Sequence, residues 1–262
     1  MNFKRIKALW MQEYFITTHS TEVFFDTIIL PLASLIVFGY LANFLAGSAG
    51  QNVSNSILSG MLLWQIVFII QYTVSTTSLW NIWFKNLTNI FIAPISTGEY
   101  LMAQFLSALV KAIILFSLSC VFVFEVFHFN IFQFGVINIS LFFINLGLFS
   151  LSLGTVILGL IFRYGTRVQS FAWGFLPLVQ PITAAFYPVS ILPVWLQYIS
   201  RLLPPTYIFE AARDSLLTHA VRWDLIGISF GINCIYFMLA LWFFISKYRQ
   251  SMMSGQFARL DG

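Results

Sequence analysis

The sequence predicts an all-α membrane protein with six transmembrane helices, and three observations carry that prediction. Hydrophobic residues make up 59% of the 262 residues and charged residues only 8%, where a soluble domain carries roughly 25% charged. From Thr27 to Phe84 there is no Asp, Glu, Lys or Arg, so no water-facing surface can be built from that stretch. Six runs reach the length of about 20 apolar residues that a helix needs to cross a hydrocarbon core of about 30 Å. The runs are continuously apolar rather than alternating, and too long for barrel strands. The chain reads as one transmembrane domain over 1–262: an interfacial helix over 3–20, a six-span region over 25–246 and a tail over 247–262.

The interfacial helix places Phe3, Ile6, Leu9, Trp10, Tyr14 and Phe15 near helical spacing among Lys4, Arg5, Lys7, Gln12 and Glu13. Its basic end suits lipid phosphates, and Trp10 and Tyr14 suit headgroup level. These residues lack a clean apolar core and a small-residue cleavage site, so no removable signal peptide is expected. The spans are expected at 25–46, 56–79, 101–124, 138–162, 168–187 and 225–246. An even number of crossings puts both termini on one side. If that side is cytoplasmic it holds Lys4, Arg5, Lys7, Lys85, Arg163, Arg167, Lys247, Arg249 and Arg259, against Arg201, Arg213 and Arg222 outside. The excess of basic residues favours termini inside. The loops at Gly47–Asn55 and Glu125–Asn130 carry no basic residue, which suits the outer face.

Two connections are apolar without being spans. Leu79–Tyr100 is interrupted by Lys85, Asn86, Asn89, Pro94, Gly98 and Glu99 and predicts a short helix near the cytoplasmic surface. Pro94 ends or turns it, and Ser96 or Thr97 with Glu99 caps the third span. Its apolar side needs a cover: headgroups, the body of the same protein, or a docked partner. Phe186–Asp224 carries Pro188, Pro193, Pro204 and Pro205 beside Trp195, Tyr198, Tyr207, Glu210 and Arg213. It predicts two short helices broken at Tyr187–Leu192, after a fifth span kinked by Pro177 and Pro181. It reads either as re-entrant structure at the outer mouth of a pathway or as an aromatic belt lying on lipid. Lys111, inside the third span, is a costly charge with two readings: facing a wet cavity, or snorkelling to the inner interface.

Much chemistry has no machinery here. No Gly-Lys dipeptide occurs, so the chain lacks the phosphate-binding loop of a P-loop ATPase. His19, His128 and His219 lie far apart and Cys120 and Cys234 sit inside apolar runs, reading as interfacial polar groups and inert thiols rather than metal ligands. No His-Glu-x-x-His and no carboxylate pair within a span appears. Proton or sodium coupling usually calls for intramembrane acids, and Glu22, Asp26, Glu99, Glu125, Glu210, Asp214 and Asp224 fall at interfaces or in loops. Gly227 and Gly231 form a Gly-x-x-x-Gly in the sixth span, a weak sign of close helix packing. The scattered basic residues argue against nucleic acid.

Two stretches are similar to a known family. Asn86–Glu99, NLTNIFIAPISTGE, resembles the coupling-helix signature of type-2 ABC transporter permeases, ending in Ala-Pro-hydrophobic-Ser. Phe186–Arg213, FYPVSILPVWLQYISRLLPPTYIFEAAR, resembles the same family's Leu-Pro, aromatic, Pro, aromatic and closing Arg ahead of the last span. The nearest branch is the exporters of O-antigen, capsular polysaccharide, lipooligosaccharide and related efflux permeases. That family often carries an acidic residue where this chain has Thr88 or Asn89. The resemblance implies an interfacial helix, six spans, a cytoplasmic coupling helix, and outer re-entrant helices between the fifth and sixth spans. It implies a non-enzymatic subunit in a bacterial inner membrane, working as a homodimer with two ABC ATPase subunits, which bind the ATP and Mg; membrane lipid is the other partner. Lys85, Asn86, Leu87, Ile90, Phe91 and Pro94, with Glu99 behind them, would meet the ATPase. Phe186, Tyr187, Pro188, Pro193, Trp195, Pro205, Tyr207, Glu210 and Arg213 would shape the exit for a lipid-linked glycan or glycolipid, with a hydrophobic drug or toxin as the alternative cargo. Two other function classes remain open: a proton-coupled secondary transporter and a membrane-embedded transferase.

Overall fold

The computed structural model describes residues 2–84, 90, 93–218 and 220–253. All regular elements among them are helices: α1 (Phe3–His19), α2 (Thr21–Phe24), a π-helical turn (Phe25–Ile29), α3 (Leu30–Ala49), α4 (Gln51–Trp83), α5 (Thr97–Phe127), α6 (Val136–Tyr164), α7 (Ser170–Val179), α8 (Val194–Leu202), α9 (Pro204–Thr218) and α10 (Trp223–Met253), with short 3-10 turns between some of them. The ends are set by local chemistry. Asn2 accepts the Lys4 N–H and starts α1. Ser20 leaves helical geometry, ends α1 and caps α2. Ser96 and Glu99 form a reciprocal capping box at the start of α5, in which each side chain accepts the other's N–H.

Among the described residues, five helices are long and apolar enough to cross a membrane: Thr21–Ser48, Gln51–Trp83, Thr97–Phe127, Val136–Val168 and Trp223–Met253. The expected fifth span at 168–187 is not one helix. It is the ten-residue α7 followed by turns from Gln180 to Phe186, and ten residues rise only about 15 Å. Pro177 and Pro181 explain this, since neither has an N–H to give and each ring crowds the preceding turn. The segment nevertheless runs the length of α4. Trp173 stacks on Trp83 with ring centroids 6.0 Å apart, Ala172 accepts a hydrogen bond from Gln71 at 3.2 Å, and Ala185 lies against Gly60 near the opposite end. It is a further passage along the bundle, fifth in chain order, half helical and half unwound.

Two further expectations are corrected. The loop expected at Gly47–Asn55 is a single residue, Gly50, between α3 and α4; its φ of +89° is open to glycine without a side-chain clash. Between the fifth and sixth passages there are two short helices, but they part at Leu203. Tyr187–Leu192 is an irregular stretch ahead of both, closed by a 3-10 turn at Val189–Ile191.

α4 and α6 form the buried axis, and α3, α5, α7 and α10 surround them. Close approach uses small residues, as helices in lipid require. A Cβ on Gly154 would come within 2.8 Å of Val74, and one on Gly159 within 3.3 Å of the Phe244 backbone. Polar cross-links supplement this: Asn233 donates to the Asn145 carbonyl at 3.0 Å, and Gln65 to the Pro31 carbonyl at 3.1 Å. Both described ends of the chain lie together, because Asn2 bonds Glu99, Tyr100 packs on Phe162, and Ser251 bonds the Phe162 carbonyl.

Candidate functional site

At the terminus end, α1 is strapped to both helices that flank the expected coupling segment. Its buried face is Ile6, Leu9 and Glu13. The Asn2 N–H donates to Glu99 Oε1 at 2.6 Å, and Arg5 lies 3.7 Å from Glu99 Oε2. Further along, Gln12 donates to Asn81 at 2.9 Å and Thr77 donates to Glu13 at 3.0 Å. Lys111 closes the cluster 3.9 Å from Glu13 Oε2. Thus α1 lies along the first part of α5 in the same direction, and Lys111 sits about 21 Å above Thr97 at 1.5 Å per residue.

The Lys111 ammonium reaches toward α1 and a buried carboxylate, and its side chain also lines a groove between α1 and α5. The partner, Glu13, is only 3% exposed and was not among the expected site residues. The signal was present: Glu13 continues the Ile6, Leu9 spacing at i, i+3, i+7, so an acid occupies the apolar face. Burial pushes the Glu13 carboxyl up, with the Lys111 charge opposing.

Of the expected coupling residues, Lys85, Asn86, Leu87 and Phe91 lie outside the described residues. Ile90 is buried, and with Ala93, Pro94 and Ile95 it faces Arg5, Ala8, Leu9 and Gln12 across a cavity of about 400 Å³. Glu99 is drawn inward as a tie between α1 and the α5 cap, rather than outward to a partner.

At the opposite end the structure brings together Phe186, Tyr187, Pro188, Glu210 and Arg213, which with Asn52, Asn55, Ser56 and Asp214 line a cavity of about 600 Å³. Arg213 donates to the Ala184 carbonyl at 3.0 Å and to Glu210 at 2.7 Å, while Glu210 accepts the Val189 N–H at 2.9 Å. Tyr187 donates to the Pro181 carbonyl at 2.7 Å. These side chains satisfy backbone groups that the prolines leave unpaired, which is how non-helical chain persists at membrane depth. Ala184 sits at φ +53°, a sparsely populated region for a residue with a Cβ. Pro193, Trp195, Pro205 and Tyr207 do not join this cavity. Trp195 is exposed with Val194, Tyr198 and Leu202 on one apolar stripe of α8, Pro205 is buried, and Tyr207 donates to the Arg201 carbonyl. The exposed stripe of α8 therefore lies apart from the cavity that Phe186, Tyr187 and Pro188 line.

Gly227 and Gly231 meet no atom within 4 Å of an added Cβ, so they make no close contact within the subunit. The same residues spell Gly-Ile-Ser-Phe-Gly, the pattern of a hydrolase nucleophile elbow, a match the sequence reading passed over. Here it is mid-helix, and Ser229 donates to the Pro204 carbonyl at 3.0 Å, so it is a packing serine rather than an elbow.

No curated protein matches the chain. A sequence model of the family described as ABC-2 type transporter matches residues 4–217, from α1 through nearly all of α9, leaving α10 outside the match. With most of its length covered, and with its helical, multi-pass architecture, the chain belongs to the ABC-2 type transporter family.

Proposed function

We propose that the protein is the permease subunit of an ATP-driven exporter in a bacterial inner membrane, assembled as two copies with two ABC ATPase subunits. The carrying observation is the strap of α1 across the helices before and after residues 85–94. A push on that segment enters a rigid three-helix junction held by Glu13, Lys111 and Glu99, and so moves α4 and α5 together. Lys85, Asn86, Leu87, Ile90, Phe91 and Pro94 receive the ATPase; ATP and Mg stay on the partner. Both termini are cytoplasmic, as the basic-residue bias favours. The open apolar faces of α3 (Val37, Tyr40, Phe44) and α10 (Met238, Trp242) leave room for the second copy and for lipid.

The cargo is an amphipathic molecule, a lipid-linked glycan or glycolipid, leaving past the cavity at Phe186–Arg213. Amides, a phenol and a carboxylate in its lining suit sugar hydroxyls, and a hydrophobic drug is the alternative. Reconstitution with the ATPase tests this: ATP-dependent flipping of a labelled glycolipid supports it, and transport of only hydrophobic dyes refutes the glycan. A second reading, proton-coupled transport, gains from the buried Glu13. Yet that acid lies at one end of the fold and is held by Thr77, whereas coupling sites lie near the midplane. Transport driven by a pH gradient without an ATPase would establish it.

A further inference from the structure

A groove of about 180 Å³ runs between α1, the π-helical turn and α5, with Trp10, Tyr14, Thr27, Lys111, Ile114 and Leu118 in its lining. It faces the membrane, since Tyr14, Ile114 and Leu118 are exposed. Two polar groups in its lining lack hydrogen-bond partners. Thr27 is 4% exposed and its Oγ1 bonds nothing among the described residues. The Lys111 ammonium is 3.9 Å from Glu13, beyond hydrogen-bond reach. The π turn belongs to the same feature. Pro31 has no N–H for the Thr27 carbonyl, the Leu30 N–H reaches back five residues to Phe25, and the widened turn carries Thr27 to the groove. Such turns recur at functional sites.

The chemistry of a ligand follows from these groups. The walls are apolar, as an acyl chain requires. Lys111 and Thr27 are donors, so an acceptor is called for; Glu13 is engaged by Thr77 and Asp26 by Tyr72. Lys7, Trp10, Tyr14 and Thr18 follow one another at i, i+3, i+7 and i+11, one stripe of α1. This puts exposed Lys7 a turn below Trp10 at the mouth, with two aromatics at the level where membranes hold their headgroups.

We propose that the groove binds one anionic phospholipid from the leaflet on the terminus side. Its acyl chain lies along Ile114, Leu115 and Leu118, its phosphate accepts from Lys111 and Thr27, and Lys7 neutralises the headgroup. A zwitterionic lipid fits the walls but gains less from the two lysines. This site is independent of what the protein exports.

The test uses the full-length protein, native mass spectrometry with added phosphatidylglycerol or phosphatidylcholine of matched chains, and a diazirine-bearing phosphatidylglycerol to map contact. The wild type should retain one phosphatidylglycerol in preference to phosphatidylcholine by about tenfold, the scale of one charge-assisted hydrogen bond, with crosslinks on α1 and Ile114–Leu118. Thr27→Val removes a hydroxyl that no described protein group uses, so its melting temperature in phosphatidylcholine alone should not fall, while retention of both lipids should weaken, because each carries the phosphate that accepts from Thr27. Lys7→Gln, at an exposed position, should weaken the preference with no effect on folding. Equal retention of the two lipids by the wild type, a preference unchanged in Thr27→Val/Lys7→Gln, or crosslinks confined to other helices would each overturn the proposal.

Discussion

Glu13 and Lys111 are the pair on which the terminus end depends. Lys111→Met leaves a carboxylate buried beside Thr77 without its counter-charge, and removing one partner of a buried pair costs roughly 3 kcal/mol. Thermal unfolding in detergent at neutral pH should show that loss, and Glu13→Gln/Lys111→Met should recover most of it. The pH dependence has a definite sign. Burial holds the Glu13 carboxyl above its ordinary 4.5, so the folded state binds that proton more tightly than the unfolded chain. Stability from this group therefore rises as pH falls through the raised value toward 4.5. The deficit of Lys111→Met should shrink on acidification; a deficit flat with pH would show that Glu13 is not the stranded group.

Among the elements, the unwound half of the fifth passage is the most constrained. An alanine Cβ at Gly60 would come within 2.1 Å of the Ala185 carbonyl oxygen, a backbone atom that cannot swing aside. Gly60→Ala should therefore lower stability by about 1–3 kcal/mol, the range for overpacking, whereas Gly47→Ala, with open space around it, should not. Unfolding curves of the two variants in one detergent check this. Similarly, Glu99→Ala strips an acceptor from Asn2 and from the α5 capping box and should lower stability, read by the same assay and by faster proteolysis at the N-terminus. Five of the spans and the helix at the N-terminus were legible in the sequence, because continuous apolar runs admit few alternatives. The ends were not: helices extend beyond the hydrocarbon where caps such as Ser96 allow. The prolines at 177 and 181 announced a kink, but only packing against Gly60 shows that the passage continues unwound. The family resemblance placed Trp195 with the exit residues, and helical phase in α8 turns it outward, away from the cavity.

At the scale of the whole molecule, two ends with different chemistry face opposite sides of the bilayer: a strapped junction at the termini and a polar-lined cavity at the prolines. The proposed orientation, with cytoplasmic termini, makes a direct prediction. With Cys120 and Cys234 replaced, a cysteine at Asn55 or Ile191 should react with an impermeant maleimide on intact cells, and one at Gln250 only after permeabilisation. The central claim is that the junction around residues 85–94 receives force from a separate ATPase, and its most direct measurement is ATP hydrolysis by the purified permease and ATPase complex. The wild-type complex should hydrolyse ATP faster than the ATPase alone, and scrambling Lys85–Pro94 should abolish that stimulation while the permease remains folded. Stimulation that survives the scrambled segment would contradict the account.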